Sequence, residues 1–191
     1  RLYSVSVDGG PAEALPMPTA GSGDFSPDEK EMVYSPQSRD FRSEKRYGGG
    51  EANKLYIYDL KTNAAKRITE GPRPTRDAMW LGDTIFFNSD RDGHFNLYAY
   101  TVSNGRTSKV TSSSQWDVRW PSSDNENQIV YELDGELQVF DARTRQWGRS
   151  GTDAEGRYRF VVPRDATRLE AFVFARGLLR HQLTRIYLDG G

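Results

Sequence analysis

The sequence holds two histidines, His94 and His181, and no cysteine, which limits side-chain chemistry from the outset. Nucleophilic hydrolysis needs a Ser, Thr or Cys beside a general base that a third group orients. Neither histidine has a carboxylate and a serine at a spacing that suggests such a set, and no serine lies in a Gly-x-Ser-x-Gly elbow. A zinc site needs His or Cys ligands in spaced groups, which two isolated histidines do not supply. His94 is therefore expected to be a solvated turn residue, and His181 a surface residue in the basic run RGLLRHQLTR (176–185). Gly48-Gly49-Gly50 lacks the Lys-Ser/Thr that completes a phosphate cradle, and there is no dinucleotide fingerprint. Asp90-Arg91-Asp92-Gly93 with Asn96 has the opening spacing of a calcium loop but no closing Glu. It lies between two apolar runs, where a hairpin turn is needed, and is read as that turn. No catalytic residue, metal ligand or cofactor is assigned.

The one dense charged stretch is RDFRSEKR, residues 39–46. Arg39, Arg42, Lys45 and Arg46 outnumber Asp40 and Glu44, with Phe41 interleaved and Tyr47 following. Arginine forks pair carboxylates bidentately, and two aromatics in an exposed loop call for a cover. Arg39, Phe41, Arg42, Lys45, Arg46 and Tyr47 are thus candidates for binding a partner domain or an acidic peptide terminus. The other reading is a solvated loop held by internal ion pairs, each worth ~0–1 kcal/mol. Trp80, Trp116 and Trp120 stand at or beside the starts of apolar runs and are expected to wedge between layers. Asp59 and Asp141 end such runs, where a carboxylate can accept turn N–H groups.

The elements that must position these residues are strands. From Met79 to Thr111 the chain reads as four short strands separated by Gly82-Asp83, Asp90–Gly93 and Asn104-Gly105, all suited to tight hairpins. The third strand of this unit, Leu97-Tyr98-Ala99-Tyr100, recurs at Leu2, Leu55, Leu137 and, more weakly, Leu183. The second recurs as Met32-Val33-Tyr34, Ile85-Phe86-Phe87, Ile129-Val130-Tyr131 and Phe172-Val173-Phe174. A period of about 40–45 residues with four strands per repeat is the signature of a β-propeller blade. The fold class is all-β: a propeller of four-stranded antiparallel blades, about four to four and a half of them, as a partial or open ring. Residues 1–18 read as the last two strands of a blade. Further blades run from Asp24 to Thr69 with a long insertion, from Asp77 to Thr111, and from Asp117 to about Trp147. Residues 1–147 are assigned to these blades. Residues 148–191 form a further blade, with strands at Tyr158–Val162, Leu169–Phe174 and Leu183–Leu188, or alternatively part of a β-sandwich.

The wording of the repeats carries a resemblance. GSGDFSPDEKEMVYSPQSRDFRSEKRYGGGEANKLYIYDL, then MWLGDTIFFNSDRDGHFNLYAY and WDVRWPSSDNENQIVYELDGELQVFD, resembles the N-terminal propeller of tricorn proteases and their homologues over roughly residues 1–145. Its more specific parts are Ser38–Gly50 and Trp116–Asp124; the SPDEK phrase is shared by TolB-like propellers of many functions. Residues 151–163, GTDAEGRYRFVVP, look similar to the later half of a carboxypeptidase-regulatory-like β-sandwich. The resemblance implies a propeller module of a large serine protease that filters unfolded peptide or leads products through a channel. The Ser, His and Glu of that family's catalytic centre match nothing in this chain.

The totals agree with a partner that is peptide or protein, including other domains or subunits of a larger assembly. With 26 Lys+Arg against 27 Asp+Glu the net charge is −1, which argues against bulk attraction to nucleic acid or anionic membrane. No apolar run approaches the roughly 20 residues of a membrane helix. Arg1 opens in what already reads as a strand, without a signal-peptide pattern, and the compartment stays open between cytoplasm and periplasm. A TolB-like scaffold propeller without protease activity is the alternative, and a fragment with open strand edges that self-associates is a third.

Overall fold

The computed structural model describes residues 2–17, 19–37, 45–50 and 52–148 in full, the backbone of 149–150, and the backbone of two later strands. The chain divides into two compact units, Arg1–Gly151 and Thr152–Gly191. Among the described residues every regular element is a strand.

The first unit opens with a two-stranded hairpin, β1 (Tyr3–Ser4) and β2 (Glu13–Ala14). Three four-stranded antiparallel meanders follow. The first blade is β3 (Ser22–Phe25), β4 (Glu31–Ser35), β5 (Tyr56–Asp59) and β6 (Ala65–Arg67). The second is β7 (Thr75–Leu81), β8 (Thr84–Ser89), β9 (Asn96–Thr101) and β10 (Arg106–Lys109). The third is β11 (Arg119–Ser123), β12 (Gln128–Leu133), β13 (Glu136–Asp141) and β14 (Gln146–Ser150). In the second unit β15 (Arg168–Val173) pairs antiparallel with β16 (Gln182–Tyr187). In these three blades the repeats read from sequence at Met32, Ile85 and Ile129 and at Leu55, Leu97 and Leu137 are strands two and three, whereas the copy at Leu2 falls in the two-stranded hairpin. β15 and β16 overlap two of the ranges expected for residues 148–191, and Tyr158–Val162 lies outside the described residues.

Local chemistry explains the turns. Asp134 and Gly135 both have positive φ, 56° and 75°, and this two-residue connection matches the twist of β12 and β13 as a primed turn does. Asp59 Oδ1 accepts the N–H groups of Lys61 and Thr62 at 2.9 and 2.8 Å, and Asp141 Oδ1 that of Thr144 at 2.7 Å. These turn hydrogen bonds, from Thr62 and from Thr144 respectively, hold both carboxyls below the usual range. Both aspartates play the capping part expected of them.

The blades bury their apolar faces against each other. Met17, Ala20, Met32, Tyr34 and Tyr58 join the hairpin region to the first blade. Val33, Leu55, Ile57, Trp80, Ile85, Phe87 and Tyr98 lie between first and second. Met79, Phe86, Leu97, Val118, Ile129 and Phe140 lie between second and third. First strands lie against one another, β3 on β7 and β7 on β11, and Asp24 Oδ2 on β3 accepts the Trp80 N–H at 2.8 Å. The fourth strands β6 and β10 are exposed throughout. First strands therefore form the inner edge of the stack and fourth strands its outer edge.

The tryptophan expectation holds only for Trp80, which is 5% exposed in the first interface. Trp116 and Trp120 are 53% and 58% exposed. Val118, fully buried between them, takes the interior seat. Trp120 lies on a bulge where the ladder steps from Arg119↔Glu132 to Ser122↔Val130, and that extra residue turns its ring out of the interface.

Candidate functional site

In an antiparallel meander the connections from strand two to three and from strand four to the next blade leave from the same end. At that end of the stack three segments meet: residues 45–50 after β4, Asp90–Phe95 between β8 and β9, and Asp117–Val118 before β11. Gly93 N–H donates to Asp90 O at 2.8 Å, so Asp90–Gly93 is the hairpin turn its position requires.

Two consecutive residues tie the first blade's insertion to its neighbours. Lys45 Nζ donates to Asp117 Oδ2 at 2.6 Å. The Arg46 N–H donates to Asp90 Oδ2, with Arg46 in the left-handed region at φ 60°. Asp90 is fully buried, so the tie is made inside the fold. Asp117 also accepts the Phe95 N–H on Oδ1 at 3.0 Å, with His94 Nδ1 3.5 Å from the same oxygen. Burial pushes the Asp117 carboxyl up, but the Lys45 and Phe95 hydrogen bonds and the Lys45 and His94 charges outweigh it and hold it below the usual range. One carboxylate thus joins the insertion, the second blade's turn and the approach to the third blade.

The surrounding groups are similarly engaged. The Arg76 guanidinium lies 3.9 Å over the Phe95 ring, a cation–π contact. Asp92 accepts Tyr98 Oη at 2.6 Å and pairs with Lys109 Nζ at 2.8 Å; these hydrogen bonds, from Lys109 first and then Tyr98, lower its pKa. Burial, then the Asp92 contact, raises that of Tyr98. Arg91 stacks 4.5 Å over the same tyrosine. Among the described residues no group of three or more His, Cys, Asp or Glu gathers to hold a metal.

Of the six candidate contact residues, Arg39, Phe41 and Arg42 lie outside the described residues, as does His181. Lys45 and Arg46 carry the two ties, and Tyr47 is 41% exposed, its ring folded over Gly49. His94 is not the solvated turn residue expected: its side chain is 25% exposed and faces Asp117. Sequence reasoning missed Asp90 and Asp117 as anchors, because their partners are 44 and 72 residues away. A cavity of about 370 Å³ lies beside the insertion, between Gly48–Gly50 and Gly71-Pro72. Its Lys54 donates to Arg73 O at 2.5 Å, and none of its described lining residues is a Ser, Cys, His, Asp or Glu.

Residues 1–146 match the family described as the tricorn protease N-terminal beta propeller domain. A curated relative, tricorn protease homolog 1 of Streptomyces coelicolor, is 30% identical over 139 residues; these cover 72% of this chain and 13% of that protein. The crystal structure of the tricorn protease superposes with a TM-score of 0.67 at 20% identity, covering 89% of this chain and 16% of that one. A putative TolB from Agrobacterium tumefaciens gives 0.61 at 18% identity, covering 77% and 55%.

Proposed function

This chain belongs to the tricorn protease N-terminal β-propeller family, and from that membership we propose that it is a non-catalytic propeller module of a larger tricorn-like serine protease. It guides or gates extended peptides and contacts partner domains. The observation that carries this reading is the family match over residues 1–146 in a chain that spans only 13% of its curated relative. The inner edge formed by β3, β7 and β11 supports the gating part, since an extended chain along that edge meets backbone and side chains of successive blades. The insertion supports the contact part. Its root at Lys45 and Arg46 is held to two blades, and side chains held in place beforehand lose less freedom on binding. Arg39, Phe41, Arg42, Lys45, Arg46 and Tyr47 form the contact surface in this reading, and residues 148–191 a further blade.

Two measurements test it. The purified chain should leave a fluorogenic peptide uncut, and serine-hydrolase turnover traceable to it would refute the assignment. It should also retain a reduced, denatured protein on a column while passing the same protein folded; equal passage of both would refute the gate.

A TolB-like scaffold without attached protease is the second reading. It is favoured by the larger share of the Agrobacterium structure that this chain spans, 55% against 16% for the tricorn protease. The encoded sequence beyond Gly191 separates the two: PDZ and peptidase domains support the first, and a stop codon the second.

A further inference from the structure

Two basic side chains from two different elements reach for the one carboxylate of Asp117. Its Oδ2 accepts Lys45 Nζ at 2.6 Å from the first blade's insertion, and its Oδ1 lies 3.5 Å from His94 Nδ1 in the connection between β8 and β9. That imidazole nitrogen is buried and makes no hydrogen bond. A buried polar atom without a partner costs stability, and protonation would give this one an anion to pair with. All three side chains are at most 34% exposed, so solvent screens their charges only in part.

The other charges at this end of the stack are engaged. Within the same connection, Arg91 lies over Tyr98, and Asp92 accepts that tyrosine's hydroxyl and pairs with Lys109. On β7, Arg76 lies over Phe95 and 3.7 Å from Asp77. Asp90 accepts the Arg46 N–H, and Arg119, at the start of β11, is exposed. Among these groups only His94 is of a type that ordinarily changes charge between about pH 5 and 8. Asp117 stays ionised across that range: against the upward push of burial, the Lys45 and Phe95 hydrogen bonds and the neighbouring charges hold its carboxyl below the usual value.

We propose that His94 and Lys45 compete for Asp117, and that protonation of His94 unlatches the root of the insertion. Two like charges drawn to one carboxylate weaken each other's hold, and the coupling is reciprocal. With His94 neutral, Lys45 holds Asp117, and the adjacent Arg46 is thereby kept on the buried Asp90. With His94 protonated, the imidazolium takes Asp117 and Lys45 is released. The second blade's turn stays joined to Asp117 in both states, whereas the first blade's insertion is held in only one. The regulatory use of this latch rests on the contact role proposed above, since the insertion is that surface; the exchange of partners at Asp117 does not.

Amide hydrogen exchange of the whole chain, followed by nuclear magnetic resonance and corrected for intrinsic rates, reads the latch at the Arg46 N–H. Its protection should fall about fivefold from about pH 7.5 to about 5.5, the factor that about 1 kcal/mol of charge interaction makes. The Leu97 N–H, held by Thr111 inside the second blade, should keep its protection, which separates the latch from general loosening. In His94→Gln the Arg46 protection should be the same at both pH values, and in Lys45→Met it should be low at both. The chain has two histidines, and His181→Gln should behave as the native chain. Constant Arg46 protection in the native chain, or the same fall in His94→Gln, would overturn the latch and leave the contact role standing. Retention of denatured protein should weaken at the lower pH in the native chain and not in His94→Gln. Equal retention by the native chain at both pH values refutes the regulatory use while the latch stands, and retention at neither refutes the contact role itself.

Discussion

The second and third blades share strand order and antiparallel pairing, and they begin alike at their second strands, Ile85-Phe86-Phe87 and Ile129-Val130-Tyr131. In the second blade all three residues are at most 2% exposed, whereas in the third Val130 is 39% exposed between the buried Ile129 and Tyr131. Ile85 and Phe87 pack toward the first blade and Phe86 toward the third, so both pleat faces of β8 are core. β12 contributes Ile129 and Tyr131 to one interface and alternates as a half-covered strand does. Near-identical apolar triplets are therefore full core or half core according to their place in the stack, not their composition.

That contrast can be broken most sharply by truncation. Phe87→Ala should cost about 3–5 kcal/mol, as a fully buried aromatic does, and Val130→Ala less than about 1 kcal/mol. Guanidinium melts of the two variants measure both, and equal losses would mean the blades are covered alike. Next in size is the tie across the blade ends. Asp117→Ala should cost about 1.5–3 kcal/mol, the range for hydrogen bonds to a charged group. Lys45→Met should cost less, because its side chain is 34% exposed against 15% for Asp117; hydrogen exchange at Phe95 should rise in the first variant only. Thr111→Val leaves the buried Leu97 N–H without its 2.9 Å acceptor and should cost about 1–3 kcal/mol. Thr69→Val, which removes the matching bond to Leu55, should cost a similar amount, since both blades use the same device.

The smallest effect is on pH. The folded pKa of Asp117 is depressed, so its stabilising contribution is complete above the unfolded value of about 3.9 and fades as pH falls through the folded one. Acid titration of stability should therefore steepen below about pH 4 in the native chain and flatten in Asp117→Asn. An unchanged acid limb would show that the Lys45 pair contributes nothing.

Much of the fold was legible because its determinants are local. The Leu-Tyr and Ile-Phe-Phe runs declare strands by residue type, Asp134-Gly135 declares a primed turn, and Asp59 and Asp141 cap turns within three residues of themselves. The candidate site was legible only as a loop of unusual charge. Lys45 and Arg46 stood out by type, but Asp117 and Asp90, which give them their roles, are distant in sequence and look like ordinary turn aspartates. Trp116 and Trp120 were misjudged for a related reason. An aromatic near a strand start is usually core, and only the bulge at Trp120 and the buried Val118 beside it turn those rings outward.

Composition, turn chemistry and the repeat of about 40–45 residues by themselves determined that residues 22–150 form a series of four-stranded antiparallel sheets, since hairpin register depends on residues close in sequence. Tertiary structure alone decided which faces became fully buried, which carboxylate received Lys45, and which tryptophans point outward. Those outcomes depend on what neighbouring blades place within a few ångströms, and no short window of sequence contains that information.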